Sequence, residues 1–184
     1  MTAEFAIPGP SAPVLPGRPA PFFLAKGEGE RAHLFDSLVT VLLSGDETDG
    51  QFGFFSFAAP KGDAIPTHNH GDVHETFYVV EGAVRVFIED QDGDRLERLL
   101  EPGDFGYCPA GLNHSFRVES DARMLGTCTG GFERFFAAAG TRTESTDLPM
   151  PPYIPSAEQL GEAAAKYHNA FRFDLRLDGP GSDA

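Results

Sequence analysis

The sequence is poor in several residue types, and each shortage limits what the protein can be. It has no tryptophan and two cysteines, Cys108 and Cys128. Two cysteines without CxxC spacing provide neither a disulfide scaffold nor a thiolate zinc site, so we expect buried free thiols. No apolar run is long enough to cross a bilayer, and residues 1–21 lack the charged-then-apolar layout of a secretory signal. These features favour a soluble, cytoplasmic protein without membrane partners.

Basic residues are also scarce. The 14 lysines and arginines face 28 acidic residues, giving a formal net charge of −14. No basic cluster interrupts this acidity, which excludes nucleic acid as an expected partner because phosphate backbones bind positive surfaces. The length of 184 residues and the apolar content of 41% fit one globular domain with a substantial core.

The chain divides into a proline-rich lead and a folded part. Residues 1–21 predict an extended N-terminal arm, which could be disordered or could dock on another subunit. Residues 22–184 predict a single domain. Up to about residue 130, short apolar runs alternate with Gly, Asp and Pro turns, a pattern typical of a β-sandwich or barrel. The predicted strands are 37–44, 52–59, 75–82, 83–90, 95–100, 105–109 and 114–120.

The periodicity changes near residue 131, where a helical C-terminal extension is predicted. Residues 132–140 read as a short helix that ends at Gly140, and Ser156 with Gln159 forms the capping-box pattern of a second helix. Between them, residues 146–155 are stiffened by proline and could either cover a pocket or connect the helices. The fold class expected is therefore all-β with C-terminal helices.

Ligand chemistry is concentrated in HNHGDVHET, residues 68–76. His68 and His70 are two apart, so on a strand their imidazoles project from one face. Glu75 opens the next strand, and an antiparallel return would bring its carboxylate beside them. His114 begins a later strand and could supply a third imidazole. His74 is out of phase with Glu75, while His33 and His168 read as surface residues.

Two spaced motifs resemble those of the cupin family. Gly62, His68, His70, Glu75 and Gly82 match the first motif, with five, one, four and six residues between them. The second is matched by Gly103, five residues, Pro109-x-Gly111-x-x-His114. One departure is Val118, where many members have Asn. The resemblance implies a jelly-roll β-barrel that holds one metal ion inside.

The flanks narrow the resemblance. Residues 27–52 and 150–159 are similar to the corresponding segments of quercetin 2,3-dioxygenases of the single-domain bacterial cupin type. That resemblance implies metal ligands His68, His70, Glu75 and His114, with Glu75 also as general base. The ion would be divalent: nickel is the first choice, with cobalt, manganese, iron, copper or zinc open. A homodimer is also expected.

The implied reaction is cleavage of the heterocyclic ring of flavonols such as quercetin with O₂, releasing carbon monoxide and a depside. The rival interpretations are another cupin dioxygenase or isomerase, and a non-catalytic cupin that binds a metal and a ligand. A flavonol requires a flat, apolar pocket, for which the 17 phenylalanines supply material. The residues expected to line it are Phe54, Phe77, Phe105, Phe116, Phe132, Phe136, Tyr153 and Ile154.

Overall fold

The structure, a computed structural model, describes residues 14–178 and is built mainly of antiparallel strands. The strands are β1 Glu30–Leu34, β2 Ser37–Leu43, β3 Gly53–Ala59, β4 Ala64–His70, β5 Glu75–Glu89, β6 Arg95–Leu100, β7 Phe105–Cys108, β8 His114–Cys128, β9 Thr141–Arg142 and β10 Asn169–Phe171. Seven of them hydrogen-bond side by side in the order β10, β4, β8, β3, β2, β1, β9. Strand β5 pairs with β8 and also with β6 and β7.

The strand prediction is confirmed in outline and corrected in detail. The runs 75–82 and 83–90 form one strand, β5, and β8 continues to Cys128. Gly82 explains the continuity: its φ of 75° bends β5 where the pairing with β8 shifts register, without ending the strand. A Cβ at this position would collide with the backbone of Asp121, so only glycine fits. Strands β1, β9 and β10 were not predicted, and β4 was predicted only as an extended segment that carries His68 and His70.

Both predicted helices are present after residue 131. Helix α1 spans Glu133–Ala139 and ends at Gly140, and α2 spans Ala157–Lys166. Ser156 caps α2, because its hydroxyl accepts a hydrogen bond from the Gln159 backbone N–H at 3.1 Å. The fold class predicted from sequence, all-β with C-terminal helices, is therefore confirmed.

Gln159 fixes α2 against the end of α1. Its amide nitrogen donates to the carbonyls of Ala138 and Gly140 at 3.0 and 2.8 Å, and its amide oxygen accepts from the Tyr153 hydroxyl at 2.9 Å. The carbonyls at the end of a helix have no partner within the helix, so these bonds satisfy groups that would otherwise be unpaired. Tyr153 is thereby held at the outside of the helix pair.

The core lies between the sheet and α1. It includes Val39, Val79, Val84 and Val118, each at most 1% exposed, together with most of the phenylalanines of β3, β5 and α1. Leu15, within the predicted arm, is also buried, and the Gly17 N–H binds the Glu47 carboxylate at 2.7 Å. The rest of that arm, residues 1–13, lies outside the described residues. Within the described part of the chain, neither helix has the length and apolarity that a bilayer crossing requires.

Candidate metal centre and its cavity

Three strands bring four buried side chains to one point. His68 and His70 lie at the end of β4, while Glu75 and His114 each begin a strand. His68 pairs directly with His114 across β4 and β8, which places their ring centroids 4.2 Å apart. One ligand atom from each of the four lies within 4.8 Å of the others. The group predicted from spacing is therefore assembled as a single buried cluster.

Backbone carbonyls fix the orientation of two imidazoles. His68 Nδ1 lies 2.8 Å from the Pro66 carbonyl oxygen, and His114 Nδ1 lies 3.1 Å from that of Leu112. A carbonyl oxygen only accepts, so both Nδ1 atoms carry hydrogen, which leaves Nε2 of each ring as the nitrogen that would bind an ion. Metal-ligating histidines are commonly oriented by this kind of bond.

His70 provides the test of whether the cluster suits a metal. Its side chain is 1% exposed, yet neither ring nitrogen has a hydrogen-bond partner among the described residues. Its Nε2 lies 3.7 Å from Glu75 Oε2, too far for a hydrogen bond. A buried, unsatisfied imidazole is costly, and an ion between these atoms would satisfy it. Three imidazoles and one carboxylate fit a borderline divalent ion, so the residues present suit one metal.

The buried cluster changes the proton affinities of its members. Burial lowers the pKa of His68 well below its usual range and that of His70 to about 4, so both are neutral at pH 7. Burial also lowers the pKa of His114, but contacts with Cys108 and Glu75 outweigh it and raise the pKa to about 10. For Glu75, burial raises the pKa, and the 3.1 Å hydrogen bond from His114 Nε2 reverses that effect to a net lowering. One proton therefore bridges His114 and Glu75 in the metal-free protein.

The two cysteines flank Glu75 without joining the cluster. Glu75 pairs with Cys108 on β7 and with Cys128 on β8, and both thiols are free and buried, as predicted. Burial raises the pKa of Cys128 well above its usual range, which keeps that thiol protonated. Both residues pack beside the carboxylate.

A mainly apolar cavity of about 300 Å³ adjoins the cluster, and His68 and Glu75 form part of its wall. Four of the predicted pocket residues line it: Phe77, Phe116, Phe132 and Phe136. Several other lining residues were not predicted, among them Phe35, Phe55, Phe57, Phe135, Asn169 and Phe171. The spacing of Phe55 and Phe57 on one face of β3, and of Phe135 beside Phe132 and Phe136 on a helix, was a usable signal. Nothing in the sequence pointed to Asn169.

The other four predicted pocket residues lie outside this cavity. Phe54 projects from the opposite face of β3 to Phe55, because successive strand residues alternate. Phe105 is 62% exposed on β7 and Ile154 is 68% exposed. Tyr153 pairs its backbone with Phe35 at 2.8 and 2.9 Å and binds Gln159 through its hydroxyl. Tyr153 thereby positions Phe35, which does line the cavity.

The remaining histidines lie apart from the cluster, as predicted. His74 Nδ1 lies 2.7 Å from the Tyr107 hydroxyl, and His168 lies beside Asp72 on the surface. His33 Nε2 lies 3.0 Å from the Asp147 carbonyl oxygen, to which it therefore donates.

Comparison with known families agrees with this arrangement. Residues 55–129 match the sequence model of the family described as the cupin domain. This segment is a cupin domain. It contains all four clustered residues, and the four glycines of its two motifs all have left-handed backbones: Gly62, Gly82, Gly103 and Gly111. Val118, the departure from the second motif, hydrogen-bonds through its backbone to Gly62 and Asp63. That contact does not depend on the side chain.

The similarity extends beyond the cupin domain. The chain is 38% identical over 140 residues to a quercetin 2,3-dioxygenase of Bacillus subtilis (strain 168). The match covers 75% of this chain and 40% of that protein, so the chain corresponds to less than half of its relative. The resemblance seen in the sequence is thus confirmed.

Among solved structures, oxalate decarboxylase from Bacillus subtilis is similar, with a TM-score of 0.50 and 23% identity. The match covers 55% of this chain and 27% of that one. It supports the jelly-roll fold alone.

Proposed function

We propose that the protein is a metal-dependent dioxygenase that cleaves the heterocyclic ring of flavonols such as quercetin. The observation that carries the proposal is that the His68, His70, Glu75 and His114 cluster forms part of the wall of an aromatic cavity. The similarity to a quercetin 2,3-dioxygenase supports the same substrate class. O₂ is the second substrate, and carbon monoxide and a depside are the products.

The four clustered residues would hold one divalent ion, for which nickel is our first choice. Such an ion would supply positive charge that acidifies a nearby substrate hydroxyl and stabilises the resulting oxygen anion. The protein ligands number four, which leaves room in a five- or six-coordinate shell for a donor from the cavity. His70 contributes most clearly, because its nitrogens have no other partner in the described structure.

In this proposal, Glu75 accepts the proton of the flavonol 3-hydroxyl. Its carboxylate is both a member of the cluster and part of the cavity wall. Its lowered pKa keeps it ionised at neutral pH but makes it a weak base. Proton transfer to Glu75 therefore requires that the substrate hydroxyl be acidified at the same time, which a shared ion would achieve.

The rest of the cavity selects a flat, apolar molecule and excludes water. Phe55, Phe77, Phe116 and Phe132 offer ring faces and edges, and Phe57 meets Phe116 edge-on at 5.4 Å between centroids. None of the described lining residues is an arginine or lysine. Away from the ion, a small dianion such as oxalate would find no cationic side chain on these walls, which favours a flavonol over a small acid.

The proposal is tested by incubating metal-reconstituted protein with quercetin in air. The expected result is loss of the long-wavelength quercetin absorbance, consumption of O₂ and carbon monoxide in the headspace. Nickel, cobalt, manganese, iron, copper and zinc are reconstituted in parallel, and metal-free protein is the control.

Two results would contradict the proposal and identify the alternative. Tight quercetin binding without O₂ consumption, with every metal, would indicate a non-catalytic binding protein. Metal binding without either quercetin binding or turnover would indicate a different cupin reaction.

A further inference from the structure

His70 differs from the other two histidines of the cluster in how its ring is held. Nδ1 of His68 and Nδ1 of His114 each donate to a backbone carbonyl. His70 has no such carbonyl, and its Nδ1 is buried without a partner among the described residues. Because Nε2 faces Glu75 Oε2, Nδ1 is the nitrogen that would carry hydrogen once Nε2 binds an ion.

An unpaired acceptor lies on the neighbouring strand at the matching position. Asn169 on β10 pairs directly with His70 on β4, so the two side chains project from the same face. Asn169 is 8% exposed, and its Oδ1 is a second buried polar atom without a partner in the described structure. Directly opposed residues have Cβ atoms about 4.5–5.5 Å apart, close enough for rotation of the amide to join these two atoms.

Strand β10 places different kinds of side chain opposite the two histidines of β4. His68, whose Nδ1 is already bonded to Pro66, faces Phe171 on β10. His70, whose Nδ1 is unpaired, faces the amide of Asn169. The strand thus places an apolar side chain opposite the satisfied histidine and a hydrogen-bond acceptor opposite the unsatisfied one.

We infer that Asn169 is a positioning residue: its Oδ1 accepts a hydrogen bond from His70 Nδ1–H and thereby directs His70 Nε2 toward the metal. The ring of Phe132, 4.0 Å from that of His70 between centroids, limits tilting of the imidazole. The amide bond would fix the remaining rotation and the tautomer. In the absence of this bond, two buried polar atoms stay unsatisfied in the metal-loaded protein.

This inference rests on the proposed metal site but not on the proposed reaction. The experiment uses full-length protein loaded with zinc, which is diamagnetic, and ¹⁵N-labelled histidine. Long-range ¹H–¹⁵N spectra report the Nδ1–H of His70, its exchange with water and the tautomer, while competition with a chelator gives the zinc affinity.

We expect Asn169→Leu, which keeps the size and removes the acceptor, to weaken zinc binding about 10- to 100-fold. We also expect the His70 Nδ1–H to exchange at least about tenfold faster. Asn169→Asp retains the acceptor oxygen and should restore both values. Ala170→Leu, on the exposed face of the same strand, is the matched control and should change neither.

Unchanged zinc affinity and unchanged His70 exchange in Asn169→Leu would overturn the inference, as would an equal loss in Ala170→Leu. Wild-type protein that binds no zinc would overturn the metal site together with this inference. If Asn169→Leu has the expected effects but the wild-type protein never consumes quercetin with any metal, the inference stands and the proposed reaction is removed.

Discussion

At the scale of single residues, the cluster is defined by which atoms already have partners. The Nδ1–H groups of His68 and His114 donate to backbone carbonyls, and the ring nitrogens of His70 have no hydrogen-bond partner in the described structure. The carboxylate of Glu75 receives its hydrogen bond from His114. One ligand atom from each of the four residues lies within 4.8 Å of the others, which is the physical reason that a single ion could contact all four.

Glu75→Gln should separate metal binding from catalysis. The amide cannot accept the substrate proton, so we expect flavonol turnover to fall by about 100-fold or more. Three imidazoles remain, so part of the metal should be retained. Metal content after chelation and reloading, together with quercetin consumption, gives both values. His70→Ala is the comparison and should lose metal and turnover together, whereas full turnover by Glu75→Gln would remove Glu75 from the role of base.

Metal affinity should rise with pH because the ion must displace the proton shared by His114 and Glu75. The pKa of His114 is raised to about 10, while that of His70 is lowered to about 4 and that of His68 lies well below its usual range. One proton is therefore released per ion, and affinity should increase about tenfold per pH unit between about pH 6.5 and 9. Calorimetry in buffers of different ionisation enthalpy measures that proton.

The raised pKa of His114 also makes the stability of the metal-free protein depend on pH. A raised pKa of His114 contributes stability that is complete below its usual value of 6.5 and is lost as pH rises through about 10.

In Glu75→Gln the carboxylate partner is gone, so the slope of metal affinity above pH 6.5 should decrease. An unchanged slope in that variant would contradict the assignment of the proton to this pair.

At the scale of secondary-structure elements, strand β3 and helix α1 with its N-terminal neighbour supply half of the phenylalanines that line the cavity. Strand β3 contributes Phe55 and Phe57 from one face, and α1 with its N-terminal neighbour contributes Phe132, Phe135 and Phe136. The side chains of β3 alternate between the cavity and the opposite face. Adjacent phenylalanines of this strand therefore have different functions.

Phe55→Leu and Phe54→Leu form a matched test of the two faces of β3. Loss of one aromatic contact is expected to cost about 1.4 kcal/mol, so Phe55→Leu should weaken quercetin binding about tenfold. Phe54 lies outside the cavity lining, so its substitution should change binding by less than about twofold. Titration of metal-free protein measures both constants. Equal effects of the two substitutions would place the ligand elsewhere.

Gln159→Leu tests how α2 is held to α1. The substitution removes the bonds to the Ala138 and Gly140 carbonyls and to Tyr153. Leaving such groups unpaired costs about 1–3 kcal/mol in free energy of unfolding. Urea unfolding measures the change, and Glu158→Gln on the exposed surface of α2 is the control. A loss of less than about 0.5 kcal/mol would show that packing alone fixes the helix.

At the scale of the whole molecule, the metal should also stabilise the fold, because its ligands come from three strands and His114 lies 39 residues after Glu75. An ion present at 100 times its dissociation constant adds about 2.7 kcal/mol to the free energy of unfolding. For a domain of this size, that corresponds to a rise in Tm of about 5–10 °C. Calorimetric melting with and without metal measures it. His70→Ala should show little or no rise, and an equal rise in that variant would indicate binding elsewhere.

The assembly of whole chains is a separate question. The expected homodimer stays a prediction, and native mass spectrometry of the full chain tests it by giving either one or two copies per particle.

The clustered residues could be predicted from the sequence far better than the residues that line the cavity. His68, His70, Glu75 and His114 were predictable because metal chemistry restricts both residue type and spacing. The fold class was predictable because strand alternation and helix capping are local properties, visible at Ser156 and Gln159. The continuity of β5 was not, since it depends on how Gly82 meets Asp121 on another strand.

The sequence by itself determined the four clustered residues, the antiparallel fold and the two helices, because each motif, strand or helix is encoded by residue types at fixed spacing within one stretch of chain. Only the tertiary structure decided which phenylalanines face the cavity, that Tyr153 braces Phe35 instead of lining a pocket, and that Asn169 lies opposite His70. Those outcomes depend on strand register and on the packing of helices against the sheet. A shift of one residue in register exchanges the two faces of a strand, so the spacing of Phe55 and Phe57 shows that they share a face but not that this face meets the cavity.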